Sequence, residues 1–440
     1  MISSEPKIKV AIVQDSHEVS LSLEGGYLSD SGQPVTGSLI ARSGSGAVTL
    51  EDAAGQIIAQ GGGILLSPAR PATSFFTLLN VRIGIDFHWD RLQTLSFRGG
   101  ILLKANRDHT LSVFNIIGLE DYLASVISSE MSADAPLEFL KSQAITARSW
   151  LVAMLEKKKA PRIAQIRNTA EIKVWQDIND HEGFDVCADD HCQRYQGITR
   201  IISENVARAI DTTRGMFLTS GGRICDARYY KCCGGQTDVF ATAWEDASFP
   251  YLSTVTDNAE KHAPIKTEKE ADAWLIAKPE AYCNTSDQDI LRRILPTFDL
   301  ETLNFYRWRV CYKREELEEI LKTKSGIDFG ILRHLEPLAR GPSGRIHRLR
   351  IEGSLCKVIV GKELEIRRWL SPTHLLSSAF VVTTERNTDG TISRFILDGG
   401  GWGHGVGLCQ IGAAVMAVRG HKAEEILTHY FSGAILKKLY

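Results

Sequence analysis

The chain reads as an α+β protein, with mixed β-rich lobes and a helical segment between them forming a cleft. Three observations predict it. Short alternating apolar runs fill residues 1 to 115, an apolar stripe at 3/4 spacing runs through 119 to 157, and strands return over 345 to 398 ahead of a Gly-rich loop and terminal helices.

In the first region "KIKVAIVQ", "SLIARS", "GAVTL", "IDFHW" and "LSVFNI" read as strands, with glycines between them. Then "GLEDYLASVISSEM" and "PLEFLKSQAITARSWLVAMLEKKK" form a helical pair, the second with Leu137, Leu140, Ala144, Ala147, Leu151 and Met154 on one stripe. Asp134 and Pro136 read as the start of that second helix. After a polar loop over 158 to 200, "ENVARAIDTTRGMFLTSGGRICDARYYKCCGGQTDVF" gives a short helix and a hairpin closed at Gly221-Gly222. In the hairpin, alternation puts Ala227, Tyr229 and Lys231 on one face and Arg228, Tyr230 and Cys232 on the other, with Arg228 and Lys231 read as surface. Residues 258 to 335 are charged and mostly helical in pattern, "REELEEILKT" most clearly, and "RIHRLRIEG", "CKVIVG", "SAFVVTT" and "SRFILDGG" read as strands.

These signals divide the chain into an N-terminal β-rich region (1–95), a core with the helical pair and hairpin (96–257), a mainly helical insertion or second lobe (258–345) and a C-terminal part with strands and the Gly-rich loop (346–440). No fixed-period repeat or low-complexity tract appears.

Composition excludes several classes. Of 440 residues, 51 are Lys or Arg and 53 Asp or Glu, and a net charge of -2 gives no field for steering onto nucleic acid or anionic lipid. No apolar run reaches the roughly 18 residues of a membrane-spanning helix. The opening "MISSEPKIKVAIVQDS" shows no signal peptide as it stands, since it has neither a basic region nor an apolar core. The nine cysteines cluster at 187/192 and 225/232/233 with the rest scattered, which suits a metal site plus core thiols better than a disulfide framework.

Three constellations carry chemistry. Glu130 falls on the apolar stripe of the first helix, three residues after Ile127 and four after Val126, where a carboxylate is out of place. It is either a desolvated functional acid or a buried partner of Lys141 or Arg148. The segment "HEGFDVCADDHCQRYQG" offers His181, Cys187, His191 and Cys192, four N/S donors of the types zinc takes, though not at finger spacing. The loop "DGGGWGHGVGLCQIGAAVMAVRG" sets Trp402 and His404 among glycines, which admit positive φ and close backbone approach. A flat indole beside a titratable imidazole suits a sugar ring, and a tight turn with Trp402 as a core plug is the plain alternative.

At this point a family resemblance emerges. "GWGHGVGLCQIGAAVMAVRGHKAEEILTHYFSGA" is similar to the terminal signature of the stage II sporulation protein D / amidase enhancer LytB (SpoIID/LytB) family, and "GLEDYLASVISSEM…LEFLKSQAITARSW" to its first. Blocks between them, among them "CCGGQTD", "WRVCYKREELEEIL" and "RRWLSPTHLLSSAFVV", resemble family blocks in family order, so the likeness spans about residues 80 to 440. It implies a peptidoglycan lytic transglycosylase that cleaves glycan strands stripped of stem peptides and leaves 1,6-anhydro-muramic ends. It also implies an extracytoplasmic place in the cell envelope, with peptidoglycan glycan and an amidase or other wall enzyme as partners. The alternatives are a non-catalytic wall-binding or amidase-enhancing protein and, given the opening residues, a cytosolic protein reusing the fold.

The resemblance assigns the catalytic role to Glu130 and makes the helical segment the catalytic one. Tyr229, Trp402, His404, Gln410, Lys141 and Arg148 are its substrate-binding or supporting candidates; for Lys141 and Arg148, one helix face apart by seven residues, surface solvation is the even alternative. Similarity to sporulation members also implies zinc at His181, Cys187, His191 and Cys192, structural if all four close the shell. The Cys232-Cys233 pair stands where the family has small Ser residues in a tight turn. A single acid is chemically sufficient. A carboxyl desolvated by apolar neighbours keeps its proton near neutral pH, and the substrate's own 6-hydroxyl replaces the water that a second carboxylate would activate.

Overall fold

The computed structural model describes residues 2–440 other than 45, 86, 88, 159–164, 169 and 177–180. The chain is mixed α+β and falls into two compact units, each assembled from separated stretches. The first holds residues 1–134, 178–216 and 438–440, and the second holds 135–177 and 217–437.

The first unit is built on one large sheet. Its strands are β1 (Lys7–Ser16), β2 (Glu18–Ser29), β3 (Pro34–Gly44), β4 (Ala47–Asp52), β5 (Ile57–Gly61), β6 (Gly63–Pro68), β7 (Phe75–Ile83), β8 (Arg91–Arg98), β9 (Gly100–Ala105) and β10 (Leu111–Gly118). They run β1-β10-β9-β6-β2-β3-β4-β5, with β7 on β2 and β8 on β7. Period-2 burial drives the pairing: Val19, Leu21 and Leu23 of β2 are buried where their neighbours face outward. Gly25 and Gly26, at φ 74° and 86°, break the β2 register, so that Leu21–Glu24 pair with β7 and Tyr27–Ser29 with β6. The expected strand "IDFHW" is not one: Ile85 and Trp89 lie in turns and Phe87 in a bend, while Asp86 and His88 lie outside the described residues.

β10 runs straight into helix α1 (Leu119–Glu130), and Gly118 supplies no side-chain cap. The cap comes from far away in sequence: Glu5 Oε1 accepts the Glu120 main-chain N–H at 3.0 Å. All of α1 but Asp121 and Ala124 is buried, including Ser125, Ser128, Ser129 and Glu130. Helix α3 (Glu204–Thr213), capped by the Ser203 hydroxyl, completes this unit.

The second unit opens with helix α2 (Leu137–Lys157). Its N-cap is Pro136 with no side-chain cap, and Pro at this boundary suffices because the first N–H groups lack helical partners anyway. Two sheets share a core that includes Trp308, Tyr312, Leu349, Trp369, Phe395 and Leu397. One has Lys357–Gly361, Ile346–Gly353 and Leu332–Arg340 at its centre and far edge, and the other has Arg307–Lys313 and Phe380–Arg386 flanking Ile392–Gly400. The returning strands match the expectation; Arg307–Lys313 and Leu332–Arg340 do not, since that stretch read as mainly helical. In Arg307–Lys313, Trp308 and Tyr312 point into the core while charged Arg309 and Lys313 stay exposed, and this charge masks the period-2 signal.

Candidate functional site

In the first unit Glu130 ends α1 with 7% of its surface exposed. Its Oε1 accepts the main-chain N–H of Arg194 at 3.0 Å. The loop carrying that donor is fastened along α1. Tyr122 donates to Gln193 Oε1 at 3.1 Å, the Gln196 N–H lies 3.2 Å from the hydroxyls of both Ser125 and Ser129, and the Tyr122 and Tyr195 rings stack at 5.0 Å. Ser125 and Ser129 therefore have a purpose, each presenting a hydroxyl to the passing loop, whereas Ser128 donates back to the Ala124 carbonyl of its own helix at 2.8 Å.

The same loop gathers the four expected donors. One atom each from His181, Cys187, His191 and Cys192 lies within 4.8 Å of the others. His181 Nε2 is 3.0 Å and His191 Nδ1 3.5 Å from Cys192 Sγ. Cys187 sits on the short strand Val186–Cys187, which pairs in parallel with β1 and packs with Ala11, Phe114 and Phe184. Hydrogen bonding from Cys192, then from the two imidazoles, holds the Cys187 thiol down to about 2 against the effect of burial. A thiolate between imidazoles at this spacing is the donor chemistry a tetrahedral zinc ion takes. Arg194, two residues past Cys192, pairs with Asp190 at 2.9 Å and lies over the Trp89 ring at 4.3 Å. Reading the sequence missed Arg194 and Gln193; their proximity to Cys192 was the only signal.

In the second unit the C-terminal loop folds back on the stretch 228–235. Trp402 exchanges main-chain hydrogen bonds with Cys232, at 2.7 and 2.9 Å, and is 8% exposed. His404 Nε2 donates to the Tyr229 carbonyl at 2.9 Å, and its Nδ1 accepts the Val406 N–H at 3.1 Å. The imidazole sits between Tyr230 and Trp244, at 5.2 and 4.8 Å between ring centres. Burial, and then the charges of Arg228, Arg345 and Arg367, push its pKa well below the ordinary histidine value, so it is neutral. Gly401, Gly403, Gly405 and Gly407 all take positive φ. At Gly405 a Cβ would come within 2.6 Å of the Arg345 guanidinium, and at Gly407 within 2.2 Å of the Arg228 carbonyl. The close approach that these glycines permit is to the protein's own buried arginine and main chain.

Tyr229, half-buried, pairs in parallel with Leu408, and Gln410 is buried at the start of helix Gln410–Val418. Lys141 forms an ion pair with Glu138 at 2.8 Å. Arg148 is fully buried, which overturns solvation as its role. Lys231 also departs from its surface reading: it is 6% exposed and pairs at 2.7 Å with the fully buried Asp299. Arg228 pairs with Asp226 and lies 4.1 Å from the Trp244 ring. Strict alternation fails here because only Tyr229–Tyr230 is a strand, and both faces of the surrounding turn are covered.

The stage II sporulation protein domain matches residues 107–220, which include α1, α2 and the four-donor loop, and a domain of unknown function (DUF8618) matches 238–407. An uncharacterized protein of Brachyspira hyodysenteriae is 24% identical over 78% of this chain and 72% of its own length. Stage II sporulation protein D of Bacillus amyloliquefaciens is 24% identical over 72% of this chain and 73% of its own. The amidase enhancer of Bacillus subtilis is 23% identical over 71% of this chain, which spans 40% of that longer protein. The chain is thus a protein with a stage II sporulation protein domain. Over most of its length the chain is similar, at low identity, to proteins named stage II sporulation protein D and amidase enhancer.

Proposed function

We propose that this protein works on the bacterial cell wall as a peptidoglycan lytic transglycosylase, in the cell envelope, with Glu130 as its acid and base. The observation that carries the reading is the Glu130 carboxyl, desolvated at the end of a buried helix and held at 3.0 Å by the Arg194 N–H. A glycosidic leaving oxygen needs a carboxyl that can hand it a proton. Glu130 donates that proton, then takes one back from the muramic 6-hydroxyl as this oxygen closes on the anomeric carbon, giving a 1,6-anhydro end. The main-chain N–H fixes the orientation of the carboxyl through both steps.

The cluster His181, Cys187, His191 and Cys192 holds zinc in this reading. When bound by four protein ligands, zinc supplies folding free energy and leaves no open position for catalysis. Its place is structural: these residues fasten the loop that presents the Arg194 N–H to Glu130. Peptidoglycan glycan is the substrate, and an amidase or other wall enzyme is a further partner suggested by the relative named amidase enhancer.

A non-catalytic, wall-binding or amidase-enhancing role is the second reading. The observation favouring it is that His404 commits both ring nitrogens to main chain, which leaves that loop without a titratable group. Incubating purified protein with glycan strands stripped of stem peptides separates the two: soluble anhydro-muramic products support the first, and binding without products supports the second.

A further inference from the structure

The second unit contains a second convergence of ligating groups, unrelated to the sporulation-type cluster in the first. Cys233, Asp257, Cys283 and Cys409 each bring one donor atom within 4.8 Å of the others, and all four residues are 0% exposed. They come from four separate places: the turn after Tyr229–Tyr230, the stretch ahead of helix Glu268–Ala277, the loop beyond that helix, and the cap of helix Gln410–Val418.

Cys233 Sγ and Cys283 Sγ are 3.4 Å apart, and Cys409 Sγ accepts the Cys233 N–H at 3.2 Å. Asp257 Oδ2 accepts the Cys283 N–H at 2.8 Å, and its Oδ1 accepts the Tyr430 hydroxyl. Among the described residues no basic side chain forms an ion pair with this buried carboxyl. A buried carboxyl beside three thiols, without a cation of its own, is costly unless a proton or a metal ion compensates it.

We propose that Cys233, Cys283, Cys409 and Asp257 form a second, fully buried metal site that takes a soft divalent ion, zinc by its donor set. Three thiolates select against magnesium and calcium, which prefer all-oxygen shells. A tetrahedral zinc with bonds of about 2.3 Å to sulfur keeps its sulfurs roughly 3.8 Å apart, close to the spacing present here. Cys409 occupies the N-cap position of a helix, where the main-chain dipoles favour its thiolate. Two arginines bonded to the turn offset the remaining negative charge. Arg345 donates to the Cys232 and Cys233 carbonyls at 3.4 and 3.3 Å, and Arg307 to the Gly234 carbonyl at 2.9 Å. With four protein ligands the ion is structural, and loading it releases the thiol protons to solvent. It would tie the 232–235 turn, which pairs with Trp402, to the helix that begins at Gln410.

The test is the metal content of the full chain purified from zinc-replete cells, by plasma mass spectrometry. Wild type should carry about two zinc ions per chain, Cys187→Ser/Cys192→Ser about one, and Cys283→Ser/Cys409→Ser about one. A Cys283→Ser/Cys409→Ser protein with the wild-type metal content overturns the proposal. If instead that variant loses metal while Cys187→Ser/Cys192→Ser keeps it all, the second site stands and the first falls. Should the Cys283→Ser/Cys409→Ser protein not fold, cobalt(II) exchange into Cys187→Ser/Cys192→Ser decides: a thiolate-to-cobalt charge-transfer band is expected, and its absence refutes the site. Alkylation of that same protein, denatured without reductant, should label all seven cysteines left of nine. Labelling of only five would reveal a disulfide in place of the metal.

Discussion

Glu130 receives a main-chain hydrogen bond from Arg194, a residue 64 positions away in sequence and two past Cys192. The acid is therefore held by the loop that the four His and Cys donors gather, and the state of that loop should reach Glu130 directly.

Cys187→Ser/Cys192→Ser tests this link. The variant should lose one bound metal, melt several degrees lower, and lose glycan cleavage more than glycan binding, because the carboxyl is no longer oriented. Metal analysis, calorimetry and product assays on one preparation check all three. Unchanged stability in a metal-free protein would refute the staple.

The buried pair of Lys231 and Asp299 makes a separate prediction. Asp299→Asn leaves an ammonium buried without its counter-charge and should cost about 3 to 5 kcal/mol, read from urea unfolding. Replacing both residues by apolar ones of similar size should recover most of that loss.

Two glycines with nearly the same φ separate backbone strain from crowding. Gly37→Ala, at φ 83° with nothing within 4 Å of the new methyl, should cost about 1 kcal/mol. Gly405→Ala, at φ 86°, adds a contact at 2.6 Å to the buried Arg345 and should cost clearly more, about 2 to 4 kcal/mol. Equal losses would mean that the loop moves aside freely.

The neutral, buried His404 predicts a pH dependence. Burial and neighbouring arginines lower its folded pKa well below the ordinary value, and His347 is lowered to about 4 by burial and then by Lys362. The unfolded chain, with histidines near about 6.5, therefore binds more protons than the folded one as pH falls below that value. Stability should be complete above pH ~6.5 and decline through the acid range by up to about 1.4 kcal/mol per pH unit for each such group. His404→Gln should flatten that slope while lowering stability at neutral pH. A stability profile identical to wild type would contradict the buried, neutral assignment.

Much of this was legible in the sequence, for local reasons. The α1 and α2 stripes and the strands from Ile346 to Gly400 declare themselves by periodicity, and the two clustered His-Cys pairs by residue type within one loop. What escaped depends on distance in the chain. The cap of α1 comes from Glu5, the orientation of Glu130 from Arg194, and the burial of Lys231 from Asp299. Cys233, Asp257, Cys283 and Cys409 share no motif, because intervals of 24, 26 and 126 residues are set by tertiary folding alone. The strand Arg307–Lys313 was hidden by arginines and lysines on its solvent face.

The most direct measurement of the central claim is mass spectrometry of the soluble products from stem-peptide-free glycan strands, digested by wild type and by Glu130→Gln. Glutamine keeps the size of the side chain and an acceptor for the Arg194 N–H but has no transferable proton. Wild type should release 1,6-anhydro-muramic fragments, and Glu130→Gln should be slower by about a hundredfold or more with unchanged metal content and melting temperature. Anhydro products from Glu130→Gln at the wild-type rate, or none from wild-type protein that binds the strands, would contradict the account.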